Sequence, residues 1–399
     1  MVKTVSIIVL IFIFWDIDGN MNSRMNWNIN SNYKNFTGVN IVENRNLKKL
    51  LGLGLTTGLI LAACGNGGDT EESSAGSEES TSTDDFSIVM VTDIGGVDDG
   101  SFNQSAWEGM QAWGEEHSKE ENNGFAYIQS NEDSEFVPNL NQALNADFDL
   151  IYGIGYKLKP AMEDVASSNP DQHFVIIDDV IEADNVASVL FKDHEAAFLA
   201  GVAAASTTQT DHVGFVGGQE SAVIDRFEAG FLAGVYAVNP DIKVDVEYAG
   251  SFGDAAKGKQ LAAAMYSNGA DVIYHASGDT GNGVFTEAKD RMNANPDDQI
   301  WVIGVDRDQT DEGNYDGGNL TLTSTLKGVG QVVQDISNES MEGNFKGGEV
   351  SNFGLAEEGV DLTEGNLSED VWTVVEDYRQ QIIDGEIEVP ENPADVKAE

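Results

Sequence analysis

"HVGFVGGQESAVIDRFEAGFLAGVYAVNPDIKVDVEYAG", residues 212–250, carries a strand, a helix and a second strand in direct succession. "HVGFVGG" (212–218) is a short apolar run that ends in glycine, and "KVDVEYAG" (243–250) has the same build. Between them, "AVIDRFEAGFLAGVYAVN" (222–239) repeats its apolar residues at helical spacing. A strand, a crossover helix and another strand form a βαβ unit, which joins parallel strands. The alternation extends outward in both directions. "SIVMVT" (87–92), "FDLIYGIG" (148–155), "HFVIID" (173–178), "DVIYHASG" (271–278) and "IWVIGVD" (300–306) are further continuous apolar runs. Such runs suit strands covered on both faces. "FNQSAWEGMQAWGEEHSKE" (102–120) and "GDAAKGKQLAAAMYSNG" (253–269) read as helices. The chain from Phe86 onward is therefore expected to be α/β. Some 300 residues exceed what one core usually serves, so two lobes are expected.

Many of these strands end in Gly or Asp, as in "VTDIGG", "VIIDD", "HASGDTG" and "IGVDRD". In open parallel sheets, ligands bind beyond the carboxyl ends of the strands. The polar residues of interest should then face a common cleft.

The charge is extreme: 21 basic against 69 acidic residues. Residues 1–63 hold six Lys+Arg and three Asp+Glu, which leaves 15 basic and 66 acidic residues in the remainder. A surface of that sign repels nucleic acid and anionic lipid. The acids are spread along the chain, as on a solvated surface suited to a salt-tolerant host. The chain has one cysteine, Cys64, so it forms no internal disulfide and no cysteine-based metal site. Upstream, Arg45, Lys48 and Lys49 precede the apolar stretch Leu50–Leu61, which suits a secretory signal and is short for a membrane span. Leu61-Ala62-Ala63-Cys64 resembles a bacterial lipoprotein box, in which the cysteine thiol receives a lipid. That anchor would hold the protein at the extracytoplasmic face of the cell membrane without spanning it. "GNGGDTEESSAGSEESTSTDD" (65–85) lacks apolar side chains and is expected to be a flexible tether, with a reach of roughly 25 Å. The first 40 residues or so do not fit a signal of this design, and translation is expected to begin between Met21 and Leu47.

No catalytic engine is recognisable. "GDAAKGKQ" (253–260) nearly matches a phosphate-binding loop, but Gln260 stands where Ser or Thr would hold magnesium. "DRDQTDEGNYDG" (306–317) imitates a calcium loop, but Asp311 occupies the position that requires glycine. The five histidines show no metal-ligand pairing, and no G-x-S-x-G elbow occurs. Two aromatic residues at helix starts suit a planar ligand instead: Phe102 in "DDGSFNQSAWEGM" and Phe227 in "SAVIDRFEAGF". Taken singly, each fits a core residue better than a ligand contact. Base–aromatic stacking contributes roughly 1–3 kcal/mol per base.

"DDGSFNQSAWEG", "HFVIIDDV", "NVASVLFKDHEAAFLAGVAA", "GFVGGQESAVIDRFEAGFLAGV", "YHASGDTGNGVF" and "STLKGVGQ" occur in this order. Together they closely resemble the basic membrane protein family of lipoproteins, over essentially all of residues 86–390. The family includes purine nucleoside receptors of ABC transporters. The resemblance implies a type I periplasmic-binding-protein fold: two doubly wound parallel-sheet lobes joined by a three-crossover hinge. The expected division is a signal region at 1–63 and a lipidated cysteine with its tether at 64–85. An N-terminal lobe would comprise 86–192 with 306–325, and a C-terminal lobe 193–305 with 326–399. The resemblance also implies no enzymatic activity, no cofactor, a purine nucleoside ligand and a membrane permease partner. Phe102 and Phe227 would sandwich the base, one from each lobe, and Asp178 would hold its edge. Asp306 and Lys327 would contact the ribose, with Asn103, Gly278 and Asp98 nearby. The family's Asp-Gln after the hinge strand is replaced here by "DRDQ" (306–309).

An ionised carboxylate only accepts hydrogen bonds. Asp178 would therefore favour guanine, with N1–H and N2–H₂, or hypoxanthine, with N1–H, over adenine. A receptor of the same fold for a sugar or signalling molecule is the alternative. A transcription regulator would need a DNA-binding headpiece where this sequence has a signal and an acidic tether.

Overall fold

The computed structural model describes residues 85–397. Cys64, the signal region, the tether and the expected translation start lie outside the described residues.

The first sheet begins with β1 (Ile88–Ile94), whose apolar and β-branched residues are almost all buried. Beside it stand β2 (Phe125–Ser130), β3 (Leu150–Ile154), β4 (His173–Ile177) and β5 (Val186–Phe191). The helices α1 (Phe102–Glu116), α2 (Phe136–Asn145) and α3 (Lys159–Ser168) connect the first four strands. The chain then enters α4 (Asp193–Thr207) and builds a second sheet from β6 (His212–Gly217), β7 (Lys243–Tyr248), β8 (Val272–Ala276) and β9 (Trp301–Gly304). The helices α5 (Ala222–Val238), α6 (Ala255–Asn268) and α7 (Thr280–Ala294) alternate with these strands. A small hairpin, β10 (Asn314–Tyr315) and β11 (Gly318–Asn319), leads into β12 (Thr321–Lys327). After β12 come α8 (Val329–Met341), β13 (Val350–Phe353), β14 (Val360–Leu362) and α9 (Glu369–Ile383).

Both sheets have six strands, in the orders β13-β5-β4-β3-β1-β2 and β14-β12-β9-β8-β6-β7. Pairing within them is parallel except for β14 against β12. The β3, β6 and β8 strands are buried along their whole length, as expected for sheets with helices on both faces. The near phosphate loop is an ordinary helix start: the Asp254 side chain accepts from Lys257 N at 2.9 Å and caps α6. Among the described residues no carboxylate and histidine group could hold a metal, and no helix is long and apolar enough to cross a membrane.

The chain passes between the lobes at three places, between β5 and α4, between β12 and α8, and between β13 and β14. These crossovers bond to one another, Lys192 N to Phe353 O at 2.8 Å and Gly328 N to Gly359 O at 2.8 Å. The expected lobe boundaries need correction. Residues 306–325, expected in the N-terminal lobe, belong to the second: Thr323 of β12 pairs with Ile303 of β9. Residues 329–353 belong to the first lobe, where α8 packs on α1 and β13 pairs with β5. The cause is the strand β13, "VSNF", whose polar residues give no apolar run to read.

The second lobe packs α4 on α5 at backbone distance. A Cβ at Gly234 would overlap the carbonyl oxygen of Phe198, and one at Gly230 that of His194. Since extra volume in such a contact forces the helices apart, Gly234→Ala is expected to destabilise the protein by about 1–3 kcal/mol. Urea unfolding at equilibrium measures this, with an unchanged midpoint contradicting the packing argument.

Candidate functional site

Strand ends from both sheets converge on one cavity. Asp93 and Ile94 lie at the end of β1, Asp178 follows β4, Ser277 and Gly278 follow β8, and Asp306 follows β9. The first turn of α1 adds Phe102 and Asn103, the first two turns of α5 add Val223 and Phe227, and Lys327 ends β12. The space, including its mouth, is about 520 Å³.

Seven of the eight residues expected from sequence line this cavity: Phe102, Asn103, Asp178, Phe227, Gly278, Asp306 and Lys327. Asp98 does not. Its side chain is exposed on the loop after β1, while the adjacent Asp99 is buried and lines the cavity. Asp99 is held there because its carboxylate accepts from the backbone N–H groups of Ser101, Asn103 and Gln104 at 2.8–3.1 Å and so caps α1. Asp178 and Asp306 share a backbone device. Each sits just past a strand with a left-handed φ, +70° and +67°. Aspartate is among the few residues that tolerate this region, and the bend turns each carboxyl from its sheet into the cleft.

Lys327 is the electrostatic centre. Its Nζ lies 2.7 Å from Asp178 Oδ2 and 3.0 Å from Asp193 Oδ1. The Arg226 guanidinium bonds the other Asp193 oxygen, at 2.8 Å and 3.1 Å. Burial would lower the Lys327 pKa, but Asp178, Asp193 and Asp306 more than offset it and hold the ammonium above its ordinary value. The same Nζ stands 5.1 Å from the Phe102 ring centre and 5.7 Å from that of Phe227. Both distances fall in cation–π range. Both rings line the same cavity as Asp178 and Lys327.

Two acceptors here are buried without a hydrogen-bond partner among the described residues, Asp178 Oδ1 and Asn103 Oδ1. A buried acceptor in that condition costs free energy that a donor from a bound molecule would recover. The cleft also holds carboxyls pushed up by burial: Asp93 to about 8 and Asp306 to about 7. Asn103 Nδ2 donates to Asp93 Oδ1 at 2.7 Å, and Lys327 and Ser101 favour the charged form of Asp306, but burial outweighs both effects.

Asp93, Asp99, Asp193 and Arg226 were not among the expected residues. Asp93 and Asp193 both stand at strand ends, in "VTDIGG" and "FKDHE", so the strand-end rule could have named them. Arg226 precedes Phe227 by one residue and carried no separate signal.

The chain belongs to the family of PnrA-like ABC transporter substrate-binding proteins, whose model matches residues 86–393. A relative from Listeria innocua, named CD4+ T-cell-stimulating antigen, is 49% identical and aligns over 88% of this chain and 100% of its own length. The "ABC transporter nucleoside-binding protein BmpA" of Lactococcus lactis is 48% identical over 77% of this chain and 89% of its own. A crystal structure of an ABC transporter solute-binding protein from Aeropyrum pernix superposes with a TM-score of 0.68 at 28% identity, covering 77% of this chain and 94% of the other. The protein is thus a substrate-binding component of an ABC transporter and not an enzyme.

The raised carboxyls make stability depend on pH. A protonated Asp93 is favoured in the fold, so its contribution is fully present below about pH 4 and is lost as pH rises through about 8. Unfolding of the ligand-free protein should show stability falling from pH 5 to pH 8, and Asp93→Asn should flatten that slope. An unaltered slope in the variant would mean that Asp93 is ionised in the fold.

Proposed function

From this membership we infer that the chain captures purine nucleosides outside the cell and delivers them to a membrane permease, held at the membrane by lipid on Cys64. Asp178 Oδ1 carries the reading: it is a buried, unpartnered acceptor on the carboxylate that Lys327 holds in the cavity both rings line. A purine stacked between Phe102 and Phe227 would present its Watson–Crick edge to that oxygen. Guanine offers N1–H and N2–H₂ and hypoxanthine N1–H, whereas adenine offers an acceptor at N1 and meets Asp178 badly. Lys327 donates to Asp178 and favours its ionised form against the burial that raises its pKa. The order expected is guanosine ≥ inosine > adenosine, with pyrimidines weaker because they stack less area.

Asp306 would accept from ribose hydroxyls and select nucleosides over free bases. The two cations at the floor, Lys327 and Arg226, are already paired with Asp178 and Asp193, so neither is left to hold a phosphate and nucleotides should bind poorly. Gly278 has φ +57°, and a Cβ there would press on the Phe252 carbonyl, so glycine keeps the cleft wall close to the ligand. The nucleoside-binding name of the Lactococcus relative supports the same ligand class.

Titration calorimetry against guanosine, inosine, adenosine and cytidine tests the reading. Phe102→Ala should weaken guanosine binding about 5- to 150-fold, the equivalent of roughly 1–3 kcal/mol of stacking. Asp178→Asn should remove most of the preference for guanosine over adenosine. Adenosine as the tightest ligand of the wild type, or no heat with any nucleoside from folded protein, would overturn it.

A further inference from the structure

Three consecutive residues of the first lobe, Asp99–Ser101, are gripped by three side chains of the second. Asn282 Nδ2 donates to Asp99 O at 3.1 Å, and Gln309 Nε2 donates to Gly100 O at 2.9 Å. Ser101 Oγ donates to Asp306 Oδ2. Only the last belongs to the expected ligand set. The first two are carboxamides on a helix and a loop of the second lobe, and they take successive backbone carbonyls across the cleft.

The Gln309 side chain is fixed in orientation by its own lobe. Val305 N can only donate, and it does so to Gln309 Oε1 at 2.9 Å. Gln309 Oε1 is also 3.0 Å from His275 Nε2, which must then carry its proton there. Burial keeps that imidazole neutral by lowering its pKa to about 4. With Oε1 committed, Nε2 has to face the first lobe. Asn282 is aimed in the same manner, since its Nδ2 also bonds Asp279 Oδ1 at 2.9 Å. On the other side, the loop is rigid. The Asp99 carboxylate ties it to the N-terminus of α1, whose first two residues are Phe102 and Asn103. Holding the carbonyls of 99 and 100 therefore holds the start of that helix against the second lobe.

We propose that Asn282 and Gln309 are positioning residues that dock the Asp99–Ser101 loop on the second lobe, and that these two carboxamide bonds set the dwell time of the bound solute. Both bonds go to backbone, so they act whatever side chains occupy the loop. They break whenever the lobes separate, and a solute enclosed by Phe102 leaves only after they do. That the solute is a nucleoside rests on the reading above; the docking does not.

Two variants of the mature protein test this. Gln309→Glu keeps an oxygen for Val305 N and His275 but sets a carboxylate oxygen against the Gly100 carbonyl. Asn282→Ala removes the other bond at a half-buried position, where folding should be unaffected, and decides the matter if the first variant does not fold. Hydrogen exchange of the Gly100–Gln104 amides in ligand-free protein is read first, then guanosine association and dissociation by stopped flow. Expected are exchange about tenfold faster at those amides in each variant, with β8 and β9 unchanged, and dissociation about tenfold faster with association within about twofold. Exchange at wild-type rates in a folded variant would overturn the docking. A wild type that binds guanosine, with a variant that releases it no faster, would overturn the dwell-time role. Were the wild type to bind no nucleoside, the exchange measurement would still decide the docking.

Discussion

One buried ammonium organises this molecule. Lys327 closes β12, at the point where the chain leaves the second sheet for the first, and its Nζ joins Asp178 of one lobe to Asp193 at another crossover. An isolated charge at that depth would be prohibitive, and so would either aspartate. Only together, with Arg226 on the second Asp193 oxygen, do they balance. Removing any one member leaves an uncompensated buried charge. The arrangement therefore ties three distant parts of the sequence to a single geometry. It sets the floor of the cleft at the place where the lobes are covalently joined.

Around that floor the two lobes use the same construction. In each, a strand ends, an aspartate takes a left-handed φ, and a carboxyl turns into the cleft. In each, the N-terminal part of a helix brings a phenylalanine to the wall. Burial raises most of these acids, and the ammonium and a few amide donors oppose that effect without cancelling it. The cleft is thus electrostatically tense before any solute arrives. A ligand that brings N–H and O–H donors relieves the tension, and one that brings negative charge adds to it. The selectivity expected for nucleosides over nucleotides and for guanine over adenine arises from this one condition.

Much of the fold was legible in the sequence, because strands covered on both faces must be apolar throughout. "FDLIYGIG", "HFVIID" and "HVGFVGG" each became a central strand. The lobe boundary was not legible beyond β9. The returning strand Val350–Phe353 carries Ser and Asn on an edge that is only partly buried, so it leaves no hydrophobic trace. Seven cavity residues were legible through the family resemblance combined with the strand-end rule. Asp98 and Asp99 could not be told apart, since neighbouring acids in a loop have no periodicity. What separates them is the capping of α1, which requires the loop's three-dimensional course. Gln309 stayed hidden for a related reason: the three partners of its side chain come from residues 100, 275 and 305.

Where a purine lies in the cleft is read from a crystal structure of the mature protein with guanosine. The base is expected between Phe102 and Phe227, with N1–H and N2–H₂ on Asp178, the ribose hydroxyls at Asp306, and Lys327 still bonded to Asp178. A base lying outside the two rings, or one turned so that a ring nitrogen acceptor faces Asp178, would contradict it.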